Sequence, residues 1–113
     1  MAAAALVSPH TIGERELNDV LSATIEVAAK WKHIGDKFKL SPGTLETIEA
    51  ENRNSEISLR EVILKWLRKC GYDFGQYGPP TWRWVVKAVN SPAGGSNPEI
   101  ASRIAAKHPR GTS

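Results

Sequence analysis

The chain of 113 residues contains one cysteine, Cys70, and no long apolar run. A single cysteine excludes an internal disulfide and a zinc site built from several cysteines, so we expect a reducing compartment, by default the cytoplasm. The apolar start from Met1 to Val7 is too short for a signal peptide and lacks the basic leader. No apolar stretch approaches the roughly 20 residues that a membrane helix needs, so we expect no membrane partner.

Residue types that carry catalysis are few and scattered. His10, His33 and His108 have no metal-ligand spacing. Cys70 lies on an apolar helix stripe without a histidine nearby in sequence, which favours a packed, unreactive thiol. The glycine pair at 94–95 lacks the lysine and serine of a phosphate-binding loop. We therefore expect no enzymatic activity, no cofactor, no metal and no small-molecule substrate.

What the chain does have is an ordinary globular composition, with 41% hydrophobic and 24% charged residues. At this length, folding removes roughly two-thirds of the surface that an unfolded chain exposes, which is enough for one core without disulfides. We expect one domain over residues 11–108, between flexible tails at 1–10 and 109–113.

The net charge of +3 conceals blocks of alternating sign. Residues 1–27 carry −3, 28–40 carry +3, 41–61 carry −3, 62–91 carry +4 and 92–113 carry +2. Nucleic-acid modules usually gather lysine and arginine on one continuous face. Blocks of opposite sign suit a protein partner better, because they provide complementary surfaces.

Apolar spacing of three and four residues predicts six short helices, with no alternating pattern typical of strands. Thr11 and Glu14 form a candidate capping box before the first helix. The second helix follows over 27–38, and Ser41 with Pro42 opens the third. An all-α globule is expected.

The fourth helix has the strongest start signal. Ser58 and Glu61 form a second candidate capping box, and Ile57 with Val62 occupies the positions of a hydrophobic staple. Gly71 is placed to end this helix in a left-handed conformation.

The last two helices are separated from the rest by glycine and proline. Residues 71–80 and 91–96 are predicted loops. Thr81 is expected to cap the fifth helix, and Asn97 with Pro98 to open the sixth. The apolar faces of the helices give the expected core, which is Trp31, Ile34, Phe38, Leu45, Ile48, Val62, Trp66, Leu67, Trp82, Val85, Val89 and Ile104.

Several linked segments together resemble the death domains of the death-fold superfamily. They are Ala-Ala-Lys-Trp-Lys-His-Ile-Gly at 28–35, Leu-Ser-Pro at 40–42, Leu-Lys-Trp-Leu at 64–67, Pro-Thr-Trp at 80–82, and two Ile-Ala pairs within 100–105. Each segment alone is weak, but their order and spacing are fairly specific over about residues 14–108. The resemblance implies a six-helix antiparallel bundle in a Greek-key arrangement.

The same resemblance implies a function. Death domains associate with other death-fold domains through asymmetric contacts, and an adaptor in an apoptotic or innate-immune assembly is the expected role. In that family Trp31, Trp66 and Trp82 would occupy buried helix-contact positions. One contact would join basic residues of the second helix to acidic residues of a neighbour's first helix, namely Lys30, Lys32 and Lys37 to Glu14, Glu16, Asp19 or Glu26.

Two further contacts are implied. One would use the third helix, with Glu46, Glu49 and Arg53. The other would use the loop before the fifth helix and the start of the sixth, around Arg68, Lys69, Tyr72, Asp73 and Glu99.

Trp84 has two interpretations at this stage. It lies two residues after Trp82, about 200° around the helix, where the family pattern tolerates polar residues. As a large aromatic side chain outside the core it is a candidate interface anchor. Alternatively it lies against the loop at 71–80 and covers its tyrosines.

Two rival functions stay open. A small helical nucleic-acid binder is favoured by the sequence pI of about 9.2 and by Arg83 and Lys87 on the fifth helix. Its affinity for duplex DNA would fall steeply with salt. A second rival keeps the fold but binds only a different death-fold partner, as a monomer.

Overall fold

The computed structural model describes residues 10–51, 54–90 and 98–108. Within them the chain forms seven α-helices, which we number α1 (Leu17–Thr24), α2 (Trp31–Lys37), α3 (Pro42–Glu51), α4 (Ser55–Leu67), α5 (Phe74–Tyr77), α6 (Trp82–Val89) and α7 (Pro98–Lys107). Short 3-10 helices, Glu14–Glu16 and Ile25–Lys30, lead into α1 and α2. The predicted all-α fold is confirmed, and the six predicted helices correspond to α1 to α4, α6 and α7.

The described residues contain no β-strand. They contain one isolated antiparallel bridge between Thr11 and Thr81, where the amide of Ile12 donates to the carbonyl of Pro80 at 2.9 Å. This contact ties the start of the chain to the residue that precedes α6. Thr81 is the N-cap of α6, as predicted, but its hydroxyl accepts no capping hydrogen bond.

The predicted capping box at Thr11 and Glu14 is wrong, because the box is formed two residues later. The amide of Gly13 donates to Glu16 Oε2 at 2.6 Å, and the amide of Glu16 donates to the carbonyl of Gly13 at 2.9 Å. Thr11 is instead held in the bridge to α6, where its backbone is extended.

The start of α4 also differs from the prediction. Asn54 is the N-cap, and its Oδ1 accepts from the amides of Glu56 and Ile57. Ser58, predicted as the cap, is a buried residue inside the helix, and Ile57, predicted to form a staple, is 51% exposed. An asparagine side chain satisfies the first free amides as well as serine does, so the earlier start extends the helix by a turn.

Lysine, not glycine, occupies the left-handed position that ends two of the helices. Lys39 after α2 has φ 72°, and Lys69 after α4 has φ 61°. In each case the amide of the following residue donates a hydrogen bond to a carbonyl in the last turn of the helix. Leu40 donates to Gly35, and Cys70 donates to Lys65. Gly71 has the predicted left-handed backbone, with φ 81°, but the prediction that it ends α4 is wrong, because the helix stops at Leu67.

Helix α4 is the centre of the bundle. It packs against α1, α2, α3 and the 3-10 helix before α2, while α6 packs against α2 and α7. The rings of Phe38 and Trp66 stack with centroids 3.9 Å apart. Gly35 permits the close approach of α2 to α3, because a Cβ there would lie 2.5 Å from Leu45 Cδ2. All twelve residues expected in the core are buried.

Some predictions fall on residues outside the described ranges. They include the loop at 91–96, Asn97 as the cap of the last helix, Arg53 as a contact residue, and the two tails apart from His10. The predicted loop at 71–80 is confirmed as irregular, apart from the single helical turn α5.

Candidate functional site

The exposed side of α2 carries two lysines that form no ion pair with any described residue. Lys30 is exposed at the end of the 3-10 helix, and Lys37 is half-buried two helical turns further on. Residues three, four and seven apart share one helix face, so Lys30, His33 and Lys37 lie in one row. The row is basic and faces away from α4, the centre of the bundle.

Lys32, also predicted as a contact residue, lies against α3. Its Nζ is 2.8 Å from Glu49 Oε1, and both side chains are about half exposed. An exposed pair of this kind contributes roughly 0.2 to 1 kcal/mol, so it exchanges readily for another partner. Lys32 and Glu49 therefore remain accessible although they are paired.

The acidic residues of the first helical segment are mostly paired within the chain. Glu14 accepts a hydrogen bond from Arg68 at 2.9 Å, and Glu26 accepts from Arg103. These hydrogen bonds lower the pKa of both carboxyl groups. The predicted contact between basic α2 and acidic α1 would therefore have to replace an existing partner of Glu14 or Glu26. Asp19 is exposed and makes no such pair.

Helix α3 provides the exposed carboxylates that are not committed elsewhere. Glu46 and Glu51 are exposed and form no ion pair with a described residue. Glu49 lies one turn after Glu46 on the same face and pairs only with Lys32. The acidic surface of α3 is thus open to a partner.

Trp84 lies against the residues before α6, as one of the two interpretations predicts. Its ring meets Tyr77 edge to face, with centroids 6.4 Å apart. Lys87 Nζ lies 5.0 Å from the centroid of the Trp84 ring, and Lys39 Nζ lies 5.6 Å from that of Tyr77. Trp84 is half-buried, so part of it still faces solvent.

A third contact between a lysine and an aromatic ring lies at α5. Lys69 Nζ lies 5.3 Å from the centroid of Phe74, whose side chain is 43% exposed. The carboxylate of Asp73 caps α5 by accepting from the amide of Gln76 at 3.1 Å. Tyr72 donates its hydroxyl to the carbonyl of Gly78 at 3.0 Å, and burial raises its pKa.

A cleft of about 600 Å³ lies between α1 and α7. The ring of His108 stacks on Trp82 at 3.9 Å at one side of it. Burial lowers the pKa of His108, and the opposing influence of Asp19 is smaller. Arg103, which also lines the cleft, is held by Glu26 and Glu99.

Cys70 does not lie in the apolar stripe where the sequence placed it. It follows the end of α4 and is exposed, because α4 stops at Leu67. Among the described residues, no group of three or more histidine, cysteine, aspartate or glutamate side chains is arranged to hold a metal ion. In the same part of the chain, none of the helices has the length and apolar character needed to cross a bilayer.

Sequence reasoning missed the role of Lys39, Phe74 and Tyr77. Lys39 follows α2 with a left-handed backbone, and its Nζ lies over the ring of Tyr77. Lys69 and Lys87 are close in sequence to Phe74 and Trp84, but no signal in the sequence links Lys39 to Tyr77. Periodicity does not reveal such contacts, because they join α5 to the ends of other helices.

A scan against protein-family models finds no match, and neither does a search of the curated proteins or of the solved structures. By its fold and its surface, the chain is an all-α bundle with charged and aromatic surface patches.

Proposed function

We propose that this chain is a non-enzymatic interaction module that binds death-fold domains, including copies of itself, with its helices in the Greek-key arrangement of that superfamily. The proposal is supported by the ordered segments from residue 28 to 105 that resemble death domains. One structural observation carries it furthest. Opposite charges lie on different segments with no ion-pair partner among the described residues, namely Lys30 and Lys37 at the two ends of α2 and Glu46 and Glu51 on α3.

Separate patches of opposite charge favour a head-to-tail contact. A basic patch on one copy meets an acidic patch on the next, so each added copy presents a fresh patch and growth does not close. A single exposed ion pair contributes less than about 1 kcal/mol. Several pairs together set the register and select the partner, and repeated contacts in an assembly add avidity.

The pathway follows from the resemblance alone. An adaptor of this class works in the cytoplasm, in signalling assemblies of the apoptotic or innate-immune type. The one exposed cysteine fits a reducing compartment, because an exposed thiol would form intermolecular disulfides elsewhere.

Sedimentation velocity of the full chain over a wide concentration range tests the proposal. It is run at about 0.1 M and about 1 M salt, where the Debye lengths are about 10 Å and about 3 Å. We expect association that grows with concentration and weakens at high salt. A chain that stays monomeric throughout, and binds no death-fold domain, contradicts the proposal.

A charge reversal on α2 sharpens this test. Lys30→Glu should weaken the association, whereas Arg15→Glu is a control with the same change in charge at another exposed position that has no ion pair among the described residues. Equal effects of the two variants would indicate a response to net charge rather than to the α2 surface. Salt-sensitive binding to duplex DNA by a monomeric chain would instead support the nucleic-acid alternative.

A further inference from the structure

Four side chains form a continuous row along the surface of α5 and α6. Lys39 lies over Tyr77, Tyr77 contacts Trp84 edge to face, and Lys87 lies over Trp84, at the distances given above. We call these four residues the lysine-aromatic strip. Lys69 over Phe74 extends the same pattern at the first residue of α5.

The geometry of the strip holds its two ammonium groups in place. A lysine over an aromatic ring is attracted by the negative face of the ring, even at an exposed site. A free lysine side chain loses rotamer entropy when a partner fixes it. Because Lys39 and Lys87 are already restrained, a partner that binds them loses less entropy than one that binds an isolated lysine.

The strip is cationic without internal compensation. Helix α6 has no acidic residue, and the one acid of the neighbouring turn, Asp73, uses a carboxylate oxygen to cap α5. Neither Lys39 nor Lys87 forms an ion pair with a described residue. The strip is therefore suited to a partner that supplies carboxylates or phosphates.

Carboxylates fit better than a single strand of nucleic acid. Sequence-tolerant binding of single strands depends on bases stacking on free aromatic faces. In the strip, Lys39 covers a face of Tyr77 and Lys87 covers a face of Trp84. The two rings also pack edge to face against each other. A stacked base would have to displace a lysine, whereas a carboxylate needs only the ammonium groups that are already presented.

We propose that the lysine-aromatic strip binds the acidic surface of α3 on a second copy of this chain, through Glu46 and Glu49. This inference rests on the proposed function and adds which surfaces meet. The charge complementarity is direct, since α3 presents exposed carboxylates and the strip presents held ammonium groups. The two surfaces lie on different helices, so the contact is heterologous and repeats from copy to copy.

Two reversed variants test the contact. The strip-reversed variant combines Lys39→Glu with Lys87→Glu, and the helix-reversed variant combines Glu46→Lys with Glu49→Lys. Each variant alone sets like charges against each other and should self-associate about tenfold more weakly than the unmodified chain. Mixed together, each variant's strip faces an opposite charge on the other variant's α3, so association should return to within about threefold.

A matched control separates this contact from a general attraction between oppositely charged proteins. The variant Arg15→Glu with Lys107→Glu has the same net charge as the strip-reversed variant, but its strip is intact. Mixed with the helix-reversed variant, it offers that variant's α3 only a strip of like charge, so fluorescently labelled helix-reversed copies should associate more weakly than in the strip-reversed mixture. Far-ultraviolet circular dichroism and thermal unfolding check that every variant folds, and the milder pair Lys39→Gln with Lys87→Gln replaces a strip-reversed variant that does not.

The outcomes separate the two proposals. Self-association of the strip-reversed variant equal to that of the unmodified chain overturns the strip contact and leaves the proposed function standing. An unmodified chain that is monomeric at all concentrations overturns both when it also binds no death-fold domain. Binding of a fluorescent single-stranded oligonucleotide that Lys87→Glu abolishes, without any self-association, assigns the strip to nucleic acid and also overturns the inference.

Discussion

The molecule contains two aromatic pairs that do opposite things. Phe38 and Trp66 stack face to face where α2 meets α4, and each is 1% exposed. Tyr77 and Trp84 meet edge to face on the rim, are half-buried, and are each covered by a lysine. Similar side chains thus hold the bundle together in one place and orient charge toward solvent in the other. The comparison predicts that changes to the first pair lower the stability of the fold, whereas changes to the second pair alter binding.

The largest effect is expected from the buried pair. Trp66→Ala should lower the free energy of unfolding by about 3 to 5 kcal/mol, because a cavity is added to the lost transfer energy. Urea unfolding followed by circular dichroism measures it. Should Trp66→Ala cost no more than Trp84→Ala, the distinction between the two pairs would not hold.

The next effect concerns the close approach of α2 and α3 beside the buried pair. Gly35→Ala places a Cβ 2.5 Å from Leu45 Cδ2, and overpacking typically costs about 1 to 3 kcal/mol. Alanine's helix propensity offsets up to about 1 kcal/mol of this, which leaves a loss of up to about 2 kcal/mol.

Gly43→Ala is the matched control in the same unfolding experiment. A Cβ at Gly43 meets nothing within 4 Å, so this variant should be neutral or slightly stabilised. Similar losses at both positions would show that helix packing does not explain the effect.

The rim pair should respond differently. Trp84→Ala should cost about 1 to 2 kcal/mol of stability, less than Trp66→Ala, because part of the side chain is already in water. The same change removes the ring that restrains Lys87, so association should weaken although the chain remains folded. Denaturant unfolding and sedimentation of the same sample measure the two effects, and unchanged association would argue against a role of the ring.

A smaller effect is expected at Lys69, between α4 and α5. Lys69 has a left-handed backbone that costs a non-glycine residue about 1 to 2 kcal/mol, so Lys69→Gly should stabilise the protein by about 0.5 to 1 kcal/mol after the entropy of glycine is included. Thermal unfolding detects this as a higher midpoint. Lys65→Gly, inside α4, should shift the midpoint in the opposite direction.

The smallest effect is a dependence on pH at the far end of the bundle. Burial against Trp82 lowers the pKa of His108 below its unfolded value, so the unfolded chain binds more protons over the pH range between the two values. Stability should therefore fall as the pH drops through the unfolded pKa of about 6.5 toward the lower folded one. Asp19 and Lys107 face His108 with opposite signs, which keeps the effect small. His108→Gln should flatten this part of the profile of stability against pH.

The interior was predictable from sequence because it depends on helical periodicity, which local spacing encodes. The burial of Trp66, Val85 and Ile104 follows from the apolar spacing of three and four residues alone. The start of α4 was missed because Asn54 and Ser58 are both good caps, and tertiary packing buries Ser58 inside the helix.

The surface was less predictable because its contacts join residues distant in sequence. Glu26 and Arg103 are 77 residues apart, and Glu14 and Arg68 are 54 apart. No local pattern shows that these acids are paired, whereas Glu46 and Glu51 of α3 form no ion pair with a described residue. Likewise, Lys39 is 38 residues before Tyr77, and only the fold brings its Nζ over that ring.

The most direct measurement is a dilution series of amide spectra by nuclear magnetic resonance at low salt. If copies dock strip to helix, the signals that shift with concentration are those around Lys39, Trp84 and Lys87 and those of α3, while signals around Trp66 stay fixed. Shifts confined to α1 and α7, or spectra that do not change with concentration, would contradict docking between the strip and α3.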